Sequence, residues 1–257
     1  VEVIDFEARP SRDWLLVSEM FGPTFQGEGP STGQLAMFIR LGGCNQHCGF
    51  CDTPHTWVFT DRQVEQHDLS LVPFSPKEEL TRYTIRDVAA EIIASGVDLI
   101  VITGGEPLLQ AEQVAKLISA VNEESAHHFE IETAGTVSPA PLVMFENVRF
   151  NVSPKLASSG NELELRRNIP VLSELRDFPG TAFKFVMGYE YGADLAEVLE
   201  LQKLVGFNND RVWLMPEGIT EKGILDGMKR LSSVALFNYW HLSTRMHVLL
   251  WGNERGR

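Results

Sequence analysis

The sequence predicts an α/β domain built on a largely parallel sheet, and three observations carry that prediction. Short apolar runs of strand length alternate with longer amphipathic runs of helix length. Polar clusters recur just after the apolar runs, at the strand edge where active sites of parallel α/β folds gather. The chain has 257 residues, 44% hydrophobic and 22% charged, the size and composition of a domain that buries its core without disulfides. Residues 1–257 are read as one domain.

The elements follow in order. Strands are expected at residues 15–21, 37–41, 99–103, 129–133, 148–152, 183–187, 212–215 and 247–250, all apolar runs of strand length. The run Leu99 to Thr103 is continuously apolar up to its last residue, as in a strand buried on both faces. Helices are expected at 85–95, 111–123, 192–205 and 221–237. Thr84 with Asp87 three residues later forms a capping-box pattern before the first helix, and Gly96 is placed to stop it. Residues 57–83, charged and carrying Pro73 and Pro76, read as a long loop or small insertion, and 153–170 as a second irregular stretch. Residues 1–14 lack the basic-then-apolar order of a secretory signal, and no run of eighteen apolar residues occurs, so no membrane span is expected.

Charge and cysteine usage narrow the chemistry. The net charge is −13 with no basic stripe, which argues against a nucleic-acid partner and for a small-molecule substrate. All three cysteines fall within eight residues. An odd, clustered set is not a disulfide framework; it indicates metal chemistry in a reducing, cytoplasmic compartment.

The loop at 42–53 reads Gly-Gly-Cys-Asn-Gln-His-Cys-Gly-Phe-Cys-Asp-Thr. Thiolates at Cys44, Cys48 and Cys51 suit one iron–sulfur cubane, three ligands for four irons, leaving one iron open. Structural zinc is the competing reading, with His47 or His55 as a fourth ligand. The apolar run 99–103 is followed by Gly104-Gly105-Glu106-Pro107, a turn whose glycines would allow close approach of the backbone to another group.

Together these elements resemble the radical S-adenosylmethionine (SAM) superfamily, with Phe50 before the last cysteine. Further segments, QGEG (26–29), FIRLGGC (38–44), CDT (51–53), TGGEPLLQ (103–110), IETAG (131–135), SPKL (153–156), KFV (184–186) and LMPEG (214–218), resemble its 7-carboxy-7-deazaguanine synthase branch across residues 15–252. The resemblance implies an incomplete, open α/β barrel of about six strand–helix units. It implies conversion of 6-carboxy-5,6,7,8-tetrahydropterin to 7-carboxy-7-deazaguanine with loss of ammonia, begun by a radical made from SAM at a reduced [4Fe–4S] cluster, for queuosine or a related 7-deazapurine. A glycyl-radical-enzyme activating enzyme is the alternative, and a zinc module a distant third.

By position, the resemblance implies that Cys44, Cys48 and Cys51 hold the cluster and that Phe50, Gly104, Gly105, Glu106, Glu132, Ser153 and Lys155 bind SAM. It implies substrate contacts from Gln26, Glu28, Arg40, Thr103 and His247, and Mg2+ at Thr53. It further implies a homodimer and an electron donor such as flavodoxin or ferredoxin. Each residue also has a plainer reading: Gln26 and Glu28 as loop residues, Arg40 paired with a structural carboxylate, Lys155 as a solvated turn lysine, Thr53 as a cap, and His247 as a hydrogen-bonded core histidine on an apolar strand. Two departures are visible. Ala134 stands where the family more often has Asn, and the chain continues through Trp251 to Arg257, past where shorter members stop.

Overall fold

The computed structural model describes residues 13–66 and 72–257. The reading of residues 1–12 as free of a signal, and the 67–71 part of the possible insertion, lie outside the described residues. Among the described residues, nine strands form one sheet in the order β3-β1-β2-β4-β5-β6-β7-β8-β9. They are β1 Trp14–Phe25, β2 Leu35–Leu41, β3 Thr81–Thr84, β4 Leu99–Gly104, β5 His128–Thr133, β6 Val148–Val152, β7 Ala182–Met187, β8 Val212–Pro216 and β9 His241–Leu242. β1 pairs antiparallel with both β2 and β3, and every pair from β2–β4 to β8–β9 is parallel. β3 and β9 are the two ends, so the sheet is open, as expected.

The helices are α1 Asp61–Gln66, α2 Pro76–Glu79, α3 Ile85–Ser95, α4 Ala111–Asn122, α5 Leu163–Arg166, α6 Ile169–Asp177, α7 Gly192–Val205, α8 Glu221–Asn238 and α9 Met246–Trp251. α3 starts as its sequence indicated: Thr84 Oγ1 accepts the Asp87 N–H at 3.2 Å, and Gly96 ends the helix at φ 63°. Its buried positions Ile85, Val88, Ala89 and Ile92, and Val114, Leu117, Ile118 and Val121 of α4, recur at helical spacing.

Strand alternation sorts the residues between two faces. Ile100 and Ile102, Phe129 and Ile131, Phe150 and Val152, and Phe183 and Phe185 join the helices in the main core. The intervening Thr103, Glu130, Glu132, Asn151 and Lys184 therefore face the opposite, concave side. That polar inner face is the framework of the site.

Three expectations need correction. Residues 247–250 form part of α9, not a strand: the Met246 N–H donates to the Gly27 carbonyl at 2.9 Å, and Leu249 N–H and Gly252 N–H close helical bonds to Arg245 and Val248. A run this short and apolar carries no usable period. The edge strand is instead at His241–Leu242. The 57–83 stretch contains β3, whose Thr-Arg-Tyr-Thr sequence is mostly exposed at the sheet edge. Finally, the 153–170 stretch, read as irregular, contains α5 and the start of α6, which Asn168 caps by accepting the Val171 N–H.

Candidate active site

The concave face encloses a cavity of about 480 Å³, within the usual range for a small-molecule site. Every expected site residue except Glu106 lines it. The cysteine loop 44–51 and the strand-end turns at Gly104-Gly105, Glu132-Thr133 and Ser153 with Lys155 all line it. Gln26, Glu28, Arg40, His247 and the chain's last five residues also form part of the wall.

Glycine at 105 makes the contact with the cysteine loop possible. The Gly105 N–H donates to Leu41 O at 3.2 Å and the Glu106 N–H to Gly43 O at 2.9 Å. A Cβ on Gly105 would run into that Gly43 carbonyl and Cys44 Cβ, so only glycine lets the turn lie against the cysteine loop. Glu106 is the exception among the expected residues. It is buried, accepting from Thr133 Oγ1 at 2.7 Å, Ala134 N at 2.8 Å and Leu108 N at 3.0 Å. Burial pushes its carboxyl up, against those donors and the Lys155 charge. Glu106 thus caps the following turn and ties β4 to β5, and contributes no side chain to the cavity wall. A carboxylate after two glycines looks like a ligand group, but nothing local reveals that three donors lie within its reach.

The thiols fit an iron–sulfur cluster. All three line the cavity, and each sulfur receives an N–H: Gln46 N on Cys44 at 3.4 Å, Asn161 Nδ2 on Cys48 at 3.2 Å and Trp57 Nε1 on Cys51 at 3.3 Å. Burial, reinforced by the neighbouring Asp52 and Cys48, pushes the Cys51 thiol up to about 11, and burial also raises Cys44. Thiolates here need a bound cationic centre. His55 is turned toward Glu19, 3.5 Å from its carboxylate, and packs edge-on to Phe74. Among the described residues, no group of three or more His, Cys, Asp or Glu is spaced for a single metal ion. The donor set is three sulfurs in one loop, which favours the cluster over the zinc reading.

Charged groups along the rest of the wall are tightly paired. Glu28 lies between Lys184, a short ion pair, and Arg245 Nε at 3.0 Å. Burial alone would raise its carboxyl, but the Lys184, Arg245 and His247 charges outweigh this and hold it far below the usual carboxylate range. Arg245 also pairs with Asp52 of the cysteine loop and donates to the Gly218 carbonyl at 2.8 Å. Gln26 is almost fully used within the protein. Its Nε2 donates to Glu130 at 2.7 Å and Glu132 at 3.2 Å, and its Oε1 accepts the Glu28 N–H at 3.1 Å. Thr103 donates to the other oxygen of Glu132 at 2.8 Å. Arg40 donates from Nε to Glu19 at 2.8 Å, the structural pairing its sequence context allowed, while still lining the cavity. Lys155 bonds back to Ser153, at 2.9 Å to the hydroxyl and 3.1 Å to the carbonyl. His247 packs its ring over Gly27 from α9, and burial lowers its pKa.

Comparison with known proteins converges on one family. A model described as the radical SAM superfamily matches residues 38–169. A 7-carboxy-7-deazaguanine synthase of Rhodopirellula baltica is 32% identical over 262 residues, covering 97% of this chain and 91% of the relative. The chain belongs to the 7-carboxy-7-deazaguanine synthase family. The Escherichia coli enzyme of that name is 34% identical over 239 residues, covering 91% of this chain and 97% of its own. The crystal structure of QueE from Escherichia coli superposes with a TM-score of 0.65 at 27% identity, covering 91% of this chain and 95% of that one. Streptococcus suis SuiB, at 14% identity and a TM-score of 0.50, shares the fold alone. Family membership implies a [4Fe–4S] cluster and SAM. Among the described residues, no helix is long and apolar enough to cross a membrane.

Arg245, Lys184, Asp52 and Glu19 line the cavity, and Glu130 holds Gln26 from behind, without roles in the sequence reasoning. Lys184 and Asp52 sit inside the motifs KFV and CDT, which are signals for them; Arg245 sits in no motif, and only its position two residues before His247 points to it.

Proposed function

We infer that this enzyme converts 6-carboxy-5,6,7,8-tetrahydropterin to 7-carboxy-7-deazaguanine and ammonia in queuosine or related 7-deazapurine biosynthesis. The observation that carries the reading is one cavity lined by both the three thiols and Glu28, Arg40 and His247. The bound cluster and SAM supply a 5′-deoxyadenosyl radical, the hydrogen-abstracting agent. Cys44, Cys48 and Cys51 hold the cluster beside Phe50. The backbone of Gly104 and Gly105 and the side chains of Glu132, Ser153 and Lys155 hold SAM.

The remaining residues bind and orient the substrate. Glu28, kept ionised by Lys184 and Arg245, accepts N–H groups of the aminopyrimidinone edge. Gln26 acts through its bonds to Glu28 and Glu132 rather than as a free amide. The guanidinium of Arg40, held by Glu19 through Nε alone, presents its outer edge to the substrate carboxylate. His247 closes the wall beside Gly27. Thr53, with its hydroxyl 3.8 Å from Cys51 Sγ, contributes an oxygen to Mg2+, which favours oxygen ligands and substrate oxygens together. A homodimer supplied by a flavodoxin- or ferredoxin-type electron donor completes the reading.

The test is mass spectrometry of an anaerobic reaction containing the reconstituted enzyme, SAM, a reductant, Mg2+ and the tetrahydropterin. 7-Carboxy-7-deazaguanine is the expected product. Formation of 5′-deoxyadenosine without it would discard the substrate and restore the activating-enzyme alternative.

A further inference from the structure

Two side chains aim N–H groups at cysteine sulfurs from outside the Cys-x3-Cys-x2-Cys segment that carries them. Trp57 is buried, and its indole Nε1 lies 3.3 Å from Cys51 Sγ. An indole N–H only donates, so a buried one needs an acceptor, and here the acceptor is a sulfur. Asn161 comes from the irregular stretch after β6 and reaches Cys48 Sγ at 3.2 Å. The orientation of its amide is fixed by the network: the His47 N–H donates to Asn161 Oδ1 at 2.8 Å, so Nδ2 is the end that faces the sulfur. Nδ2 also contacts Ser159 Oγ at 3.1 Å, and Ser159 O accepts the Gly49 N–H at 2.9 Å. The segment 159–161 is thereby laced to the cysteine loop at three points.

Hydrogen bonds to the sulfurs are among the main determinants of an iron–sulfur potential. Reduction adds negative charge to the cluster and its thiolates. An N–H aimed at sulfur therefore stabilises the reduced form more than the oxidised one, and the potential rises. We propose that Trp57 and Asn161 are positioning residues that raise the reduction potential of the cluster held by Cys44, Cys48 and Cys51, by donating N–H···S hydrogen bonds to Cys51 and Cys48. The proposal rests on the cluster and is independent of the substrate. Simple packing by Trp57 and simple loop bracing by Asn161 would leave the potential where it is.

Trp57→Phe keeps an aromatic ring and removes the N–H; Asn161→Leu keeps a branched side chain and removes the amide. Each variant, reconstituted anaerobically, is titrated electrochemically with the reduced cluster followed by electron paramagnetic resonance. Each is expected to disfavour reduction by about threefold or more, roughly 30 mV at 59 mV per decade for one electron, with the iron and sulfide content of the wild type. An unchanged or raised midpoint at full iron content overturns the proposal. A second measurement does not depend on the variants. Wild-type protein produced in D2O is expected to show shifted Fe–S stretching bands in resonance Raman spectra relative to protein produced in H2O; identical bands overturn the proposal even if a variant fails to hold its cluster. Wild-type protein that takes up no iron and sulfide defeats the cluster assignment itself.

Discussion

Replacing Arg245 with Met should separate the loop at residues 26–29 from the cysteine loop. Arg245 bonds Glu28, Asp52 and the Gly218 carbonyl at once, and it is buried. Met keeps the apolar stem and removes every donor. Glu28 would keep Lys184, and the Asp52 side chain, 43% exposed, would turn to water. Removing one partner of a fully buried pair costs about 3–5 kcal/mol, and these residual partners reduce that to about 2–3 kcal/mol. At roughly 2–4 °C per kcal/mol for a domain of this size, the melting temperature should fall by about 5–10 °C. The same loss frees Glu28 to change rotamer, so the substrate KM should rise at least tenfold, equivalent to about 1.4 kcal/mol. Arg245→Lys should recover little, because one ammonium cannot serve three divergent partners. Thermal unfolding of the apoprotein and steady-state kinetics of the loaded enzyme read the two effects separately. A melting temperature within 1 °C or so of wild type, on the scale of a surface substitution, together with an unchanged KM would refute the clamp.

Gly105→Ala should lower the iron content after reconstitution, because the new Cβ displaces the Gly43 carbonyl and Cys44; iron and sulfide assays check it. Glu106→Ala should cost about 3 kcal/mol in urea unfolding, since Thr133 Oγ1 and the amides of Ala134 and Leu108 lose their acceptor in a buried site, and Glu106→Gln should recover part of it. Glu19 gives a pH signature. Burial would raise its carboxyl, but the nearby His55 ring, a hydrogen bond from Arg255 and the charges of Arg40 and Arg255 lower it from 4.5 to about 2. A depressed carboxylate stabilises the fold above its unfolded pKa, and that contribution is lost as pH falls from about 4.5 toward 2. After discounting for solvent screening, it amounts to about 1–2 kcal/mol. Glu19→Gln should therefore be less stable at neutral pH by about that amount, with the gap closing in acid, as followed by denaturant unfolding across that range.

The sheet was legible in the sequence wherever a strand is buried on both faces or alternates cleanly. Leu99–Gly104 and Ala182–Met187 are examples, with apolar residues on the helix side and Thr103 or Lys184 on the other. It was illegible at Met246–Trp251, where six residues are too few to show a period and the decisive contact is the Gly27 carbonyl. β3 was hidden for the opposite reason: an edge strand has little to bury, so it carries no apolar signature. The site divides along the same line. Groups that act through local backbone geometry, the cysteine loop and Gly104-Gly105, announce themselves through spacing. Groups that act through long-range pairing do not.

The charge arrangement explains why the paired residues matter as much as the motifs. Glu28, Lys184, Glu132, Arg245 and Asp52 alternate in sign along the inner wall. Isolated, any one of them buried there would shift toward its neutral form. Linked, Glu28 stays ionised and Lys184 stays charged, its burial opposed by Glu28 and Glu132. The chain spans the QGEG loop, the cysteine loop, β5 and β7, with Glu28 and Lys184 156 positions apart and Arg245 and Asp52 193 apart. A protonation change at one member alters the field at the next, so substitutions within the chain should be non-additive, whereas Gly105 and Glu19, outside it, should combine with them nearly additively. A double-mutant cycle of Asp52→Asn with Glu28→Gln on product affinity reads this directly. A coupling energy near zero would mean that Arg245 holds its two carboxylates independently, and the linked-wall argument would fail.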